Sequence, residues 1–310
     1  MRGSTAKIEE RQGEAMSASK GELAALTRMF SSTVVRELGR QGKSGLLARL
    51  LHQSGAAQAL KSEATVGDAF DHAFHVLRSL GNRDEYVYRS AITQKILLGQ
   101  HSLRTASMLG EARVGASKAD VVVFNGTSTA YEIKSERDSL ARLRSQVLAY
   151  SQVFAVVNVV TSPSHVVHVL RQVPEYVGVL VLTDRFTLRM ERRAIGDSSR
   201  TEPLAILDFV RLDEAFAILR EVGIEPPRVP NTQIRGALNE LFADLESTRV
   251  HDLMVSTLKS SRSQSSAENY IKSIPMSLRA AMLTLKMNDA SEQRLRDATR
   301  LPIGAALAWR

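Results

Sequence analysis

ADVVVFNGTSTAYEIKSE, residues 119–136, carries the most specific pattern in the chain. The β-branched run ending at Phe124 reads as a strand, Asn125-Gly126 is a strong turn signal, and Thr129 to Lys134 resumes strand composition, which predicts a hairpin. Reversal about Asn125–Thr127 brings Asp120 opposite Tyr131 or Glu132. Residues two apart share a strand face, so Glu132 and Lys134 project together while Tyr131 and Ile133 enter the opposite layer. Two carboxylates at such a distance repel unless a cation lies between them, and an adjacent lysine compensates only in part. Oxygen donors of this kind suit Mg²⁺ or Mn²⁺, ions that also take phosphate oxygens as ligands. A lone Glu-x-Lys is ordinarily an exposed salt-bridged strip of little energetic weight. Here the pair is joined by Asp120 upstream and by Gln146-x-x-x-Tyr150 downstream.

Working outward, Asp138 to Phe154 carries Leu140, Leu143, Val147, Tyr150 and Phe154 at helical spacing, and Ala155 to Val160 reads as a buried strand. A helix over Ser164–Val173, a strand over Val177–Thr183 and an edge strand over Thr187–Arg193 follow. Upstream, Arg83 to Gly99 predicts a helix with Gly99 at its C-terminal cap. Before it, Leu23, Leu26, Phe30, Val34 and Leu38, then Phe70, Phe74 and Leu77, recur with helical period from Lys20 to about Gly81. A proline cluster at Pro226, Pro227 and Pro230 punctuates the chain, after which Asn231–Leu258 and Met276–Leu301 look helical around the serine-rich Ser260–Ser266. The expected class is α/β: a mixed sheet flanked by helices, with helical N- and C-terminal extensions. The corresponding segments are a helical region over 1–82, a core over 83–225 and a second helical region over 231–310.

With 310 residues and 44% hydrophobic content the chain can fill an ordinary core. A formal charge of +8 favours polyanionic partners without selecting one. No cysteine is present, which excludes disulfides, thiolate zinc sites and cysteine nucleophiles. Met1 to Glu14 lacks the apolar core of a secretory signal, and the longest apolar stretch, Val153–Leu170, is broken by Asn158, Pro163 and His165. A soluble cytoplasmic protein without membrane association is expected. His72/His75 and His165/His168 have spacings that place two imidazoles on one helix face, yet neither pair has a further ligand nearby, so they read as ordinary histidines. No Walker loop, dinucleotide fingerprint or nucleophile elbow occurs, which removes nucleotide hydrolysis and serine esterase chemistry.

On Asp120, Glu132-Ile133-Lys134 and Gln146-x-x-x-Tyr150 the sequence resembles the PD-(D/E)xK nuclease superfamily. The Gln-xxx-Tyr spacing looks like the variant of bacterial recombination exonucleases, and EYVYRSAITQKILLG, RVGASKADVVVFNG and YEIKSERDSLARLRSQ resemble small bacterial proteins grouped with that superfamily. The likeness covers about residues 83–185 and implies a restriction-endonuclease-like core. It implies that Asp120 and Glu132 hold a divalent cation, with the Ile133 carbonyl as a further ligand. Lys134 would then orient or help deprotonate the attacking water and offset charge on the phosphate. Gln146 and Tyr150, one helical turn apart, would face the site or the nucleic-acid backbone, although Tyr150 also completes the apolar stripe of its helix. Glu85 is the acid expected from the helix before the sheet, with Glu111 as its competitor. Arg89 and Arg142, and after them Arg137 and Arg144, are the phosphate contacts to test. Ala119 stands where the superfamily usually has proline, a departure that weakens the motif without breaking it.

Two functions are therefore expected to compete. One is Mg²⁺- or Mn²⁺-dependent hydrolysis of DNA, ahead of RNA. The other is a catalytically silent module of nuclease fold that binds nucleic acid or protein within a defence- or toxin-related system. The helical termini are free to serve a second copy or another protein partner.

Overall fold

The computed structural model describes residues 18–285 and 287–310, so the expectation for Met1–Glu14 lies outside the described residues. Five helices open the chain: α1 (Lys20–Met29), α2 (Ser32–Gln41), α3 (Gly45–Gln53), α4 (Ala56–Ala59) and α5 (Val66–Leu77). Ser19, Ser31, Ser44 and Thr65 each cap one of them by accepting a backbone N–H, which explains why the periodic stretch is cut into short pieces. Helix α6 (Glu85–Ile92) runs through a π-helical turn at Thr93–Leu97 into α7 (Leu98–Gln100). Gly99 is thus inside the last turn rather than its cap. A side chain there would bring Cβ to 2.9 Å from the Gln94 carbonyl, which is the reason for glycine at that position.

The sheet has six strands: β1 (Ser107–Val114), β2 (Ser117–Phe124), β3 (Ser128–Lys134), β4 (Val156–Thr161), β5 (Gly178–Leu182) and β6 (Leu188–Arg192), arranged in sequence order. Pairing is antiparallel from β1 to β3, parallel from β3 to β5 and antiparallel again at β6. The expected hairpin forms, with Phe124 opposite Ser128 and Val121 opposite Tyr131. Strand β1 escapes sequence reading because Gly110, Glu111 and Arg113 interrupt its apolar alternation. It joins β2 through Gly115-Ala116, a reversal that requires the left-handed φ of 55° found at Gly115.

Helices α8 (Leu143–Ser151) and α9 (Val166–Gln172) make the crossovers between the parallel strands. Helix α8 begins only at Leu143: Asp138 accepts hydrogen bonds from the Ser135 amide and hydroxyl, and this turn delays the helix. After β6 come α10 (Pro203–Phe209), α11 (Leu212–Glu221), α12 (Asn231–Ala243), α13 (Ser247–Ser261), α14 (Glu268–Ser273), α15 (Arg279–Thr284), α16 (Asp289–Arg300) and α17 (Ile303–Leu307). The two long C-terminal helices expected from periodicity are each divided, one where Glu246 caps α13 and one where Asn288 caps α16.

The sheet separates two apolar clusters. Val121, Val123, Tyr131, Ile133 and Val160 face helices α1–α6 and the C-terminal α14–α17. Ala119, Val122, Phe124, Ala130 and Val159 face α8–α13. Both ends of the chain therefore cover one face. They are joined directly, since the Val66 amide donates to the Leu301 carbonyl and the Ile303 amide to the Ala64 carbonyl. No helix among the described residues is long and apolar enough to cross a membrane.

Candidate active site

The pairing between β2 and β3 ends at Val121–Tyr131, so Asp120 and Glu132 are next in register. Instead of continuing the ladder, the Asp120 carboxylate accepts the Ile133 amide at 2.6 Å. A side chain has taken the place of a backbone partner, and it carries a charge into the point where the strands part. Burial, then the neighbouring Glu132, push the Asp120 carboxyl up to about 7, and the Ile133 amide offsets only part of this.

Glu132 is 2% exposed. Its Oε1 lies 2.8 Å from Lys134 Nζ, and Nζ also donates to Gln146 Oε1 at 3.0 Å. Its Oε2 and the Lys118 carbonyl are each 2.7 Å from the Tyr150 hydroxyl, and Gln146 Nε2 completes the circuit to that hydroxyl at 3.5 Å. The single phenolic proton is thus shared between two acceptors. Burial and the Glu132 carboxylate hold Tyr150 well above the usual phenol range, so it stays a neutral donor. The turn spacing of Gln146 and Tyr150 does bring both to Glu132 and Lys134. Tyr150 is nevertheless 0% exposed with its hydroxyl committed inside, so the expectation that it touches nucleic acid is corrected: it is at once a core residue and a support for Glu132.

These groups line a cleft of about 920 Å³ whose walls carry the carboxylates Glu85, Asp120, Glu132, Asp138, Glu202 and Asp208 and the cations Lys118, Lys134 and Arg142. Glu85 lines this cleft and Glu111 does not. Glu111, in the left-handed region at φ 54°, instead pairs with Lys118 at 2.8 Å and Arg89 at 3.6 Å, and both cations hold its carboxyl below the usual range. Arg89 is half-buried and shared between Glu85 and Glu111, so its charge is already engaged by two acids. Arg142 is exposed on the cleft wall and has no salt bridge among the described residues. Arg137 donates to the Gly81 carbonyl, and Arg144 is not among the residues lining the cleft.

Whether these residues suit a divalent cation is answered by charge and donor type. Among the described residues no three acids or histidines converge as a ready ligand set. Asp120 and Glu132, were both ionised, would set two negative charges against one positive charge on Lys134, and the suppressed ionisation of Asp120 expresses that imbalance. The Ile133 side chain is packed in the core on the other face, so only its backbone can join them. Two hard carboxylates, a backbone carbonyl and open volume fit a hydrated Mg²⁺ or Mn²⁺.

One constellation was not legible beforehand. The Ser128 hydroxyl lies 2.8 Å from His251 Nε2, and His251 Nδ1 lies 3.0 Å from Asp252. It has the order of a hydrolase triad, but Ser128 and His251 are buried at 0% and 1% and the hydroxyl also takes the Ala155 amide, so it acts as a tie between β3 and α13. The paired histidines seen in the sequence form no ligand group among the described residues.

Protein cII of Enterobacteria phage P4 is 27% identical over 164 residues, which is 51% of this chain and 60% of that protein, so the chain spans somewhat less than two thirds of its relative. No solved structure matches. Neither the relative's name nor the family's states an activity. The match to the family described as Bacteriophage P4 protein cII runs over residues 79–286, which includes the whole sheet and every cleft residue named above, and this chain belongs to that family.

Proposed function

We propose that this protein is a divalent-cation-dependent nuclease of the PD-(D/E)xK type that hydrolyses phosphodiester bonds in DNA. The observation that carries the reading is the frustrated pair Asp120 and Glu132 beside Lys134 in an open cleft. Asp120, Glu132 and the Ile133 carbonyl would hold the cation, which when bound polarises a phosphate oxygen and acidifies water. Lys134 Nζ, fixed between Glu132 and Gln146, presents a donor with a set direction to charge developing on the phosphate. Gln146 keeps that amine in place, and Tyr150 keeps Glu132 from rotating. Glu85, which lines the same cleft, adds a further carboxylate whose charge reaches Asp120.

A second reading has one observation in its favour. Both oxygens of Glu132 are already engaged, by Lys134 and Tyr150, as they would be in a structural site that has given up chemistry. Such a protein would be a silent nuclease-fold module for nucleic acid or protein. Plasmid, single-stranded DNA and RNA incubated with Mg²⁺ or Mn²⁺ separate the two. The wild type is expected to cut DNA, and Asp120→Ala and Lys134→Ala are expected to lose at least about 100-fold of that rate. Equal cleavage by all three proteins refutes the assigned residues, and retained binding without cleavage by the wild type selects the silent module.

A further inference from the structure

The cleft that holds Asp120 and Glu132 is a poor electrostatic seat for a polyanion. Six carboxylates line it against three cations, and Lys118 and Lys134 are themselves paired to Glu111 and Glu132. A phosphate chain entering it is repelled everywhere except at the cation and at Arg142, so the charge that retains the chain must lie outside the cleft. A second hollow, of about 630 Å³, shares Glu85 as a common wall with the first; its other acids, Asp84 and Glu111, are engaged by the Val87 amide and by Lys118 and Arg89, and Arg28 and Arg36 from α1 and α2 also line it. Arg40 follows Arg36 by one turn on α2, and Lys43 stands just beyond the Gly42 cap. All four are exposed, and among the described residues none has a carboxylate partner. Elsewhere on α2 the acidic Glu37 is taken by the Ser44 hydroxyl.

We infer that Arg28, Arg36, Arg40 and Lys43 form a ridge that holds the phosphate backbone of a DNA strand whose neighbouring segment crosses the acidic cleft. The inference rests on the nuclease reading for the location of the cleft. The helices bearing the ridge lie before residue 79, outside the stretch matched by the phage P4 family. Ion-paired arginines such as Arg89 contribute nothing comparable, because their charge is already neutralised.

The test is binding of fluorescein-labelled single- and double-stranded DNA in EDTA across a salt series, using the full chain. R36E/R40E is compared with wild type and with R171E/R193E, a charge-matched control whose residues are exposed on α9 and just after β6. The ridge variant should bind at least about tenfold more weakly at low salt and lower the log–log salt slope by about 2, one unit per lost phosphate contact, while the control stays within about twofold of wild type. R36Q/R40Q, with unchanged melting temperature, should show a smaller loss in the same direction. Equal binding by the ridge variant and the control overturns the ridge. Failure of the wild type to bind any DNA in EDTA overturns the ridge, and cleavage in Mg²⁺ by that same protein leaves the nuclease reading standing alone. Ridge-dependent binding without cleavage in Mg²⁺ leaves the ridge standing and removes the nuclease reading alone.

Discussion

Asp120→Asn is expected to make the cation-free protein more stable, an unusual outcome for a change at a half-buried polar site. The Asp120 carboxyl is raised from 3.8 to about 7 by burial and by Glu132. The unfolded chain ionises near the ordinary aspartate value, whereas the folded protein keeps its proton until about pH 7. The folded state therefore binds the extra proton between those limits, and stability falls as pH rises through them and levels off above about pH 7. Three units correspond to about 4 kcal/mol, and partial solvation of this half-buried group reduces that to ~2 kcal/mol. Asparagine keeps the shape and still offers an oxygen to the Ile133 amide. Urea unfolding in EDTA should give the variant an advantage of about 2 kcal/mol at pH 8 and less than half of that at pH 5. Mg²⁺ at about 100 times its Kd should then stabilise the wild type by about 2.7 kcal/mol and leave Asp120→Asn unmoved. A variant less stable than wild type at pH 8 in EDTA would refute the frustration on which the site argument depends.

Two further outcomes concern the frame around the site. Glu214 is buried in a bidentate pair with Arg262 and also accepts from Ser261 and the Arg211 amide. Burial alone would raise its carboxyl, but these donors bring it down to about 2, so its contribution is complete above about pH 4.5 and is lost as pH falls toward 2; Glu214→Gln should cost about 2–3 kcal/mol at pH 7 and little at pH 2.5, read by chemical denaturation. Arg83 is fully buried and donates to the carbonyls of Arg78, Leu182, Thr183 and Asp184, tying the start of α6 to the end of β5; Arg83→Ala should cost at least about 3 kcal/mol in a urea titration, and a loss below 1 would mean that water replaces those bonds.

The hairpin was readable because it obeys local rules. The Asn125-Gly126 turn set the register, and alternation separated Glu132 and Lys134 from Tyr131 and Ile133. Strand β1 was hidden because its apolar residues are supplied by partners distant in sequence: Gly110 is small where Thr284 packs over it, and Met108 takes the Gln264 side chain through its amide. Helix periodicity overran its boundaries wherever a side chain satisfied the backbone first, as Asp138 does before α8 and Glu246 before α13. The fate of single arginines was the least legible. Arg83, Arg89 and Arg142 look alike in sequence, yet one is sealed against carbonyls, one neutralised by two acids and one left facing the cleft.

The closed circuit from Glu132 through Lys134, Gln146 and Tyr150 explains why a site with so much like charge can fold at all. Each member of that ring is satisfied by another, so the unbalanced negative charge is left on Asp120 alone, the half-buried carboxylate that faces open volume. A fully satisfied polar ring is rigid and stabilising, while one outward group with suppressed ionisation is where a cation gains most from binding. The division of labour runs further out. The acids around the cleft favour a cation, and the unpaired arginines that favour phosphate stand on α1 and α2, one wall away. Were those cations placed inside the cleft, they would neutralise Asp120 and remove the reason for it to take a metal. Separation of the two charges by Glu85 is therefore a requirement of the chemistry proposed, and moving an arginine across that wall, as in Ser117→Arg at the cleft margin, should weaken Mn²⁺ binding in calorimetry even while DNA affinity rises.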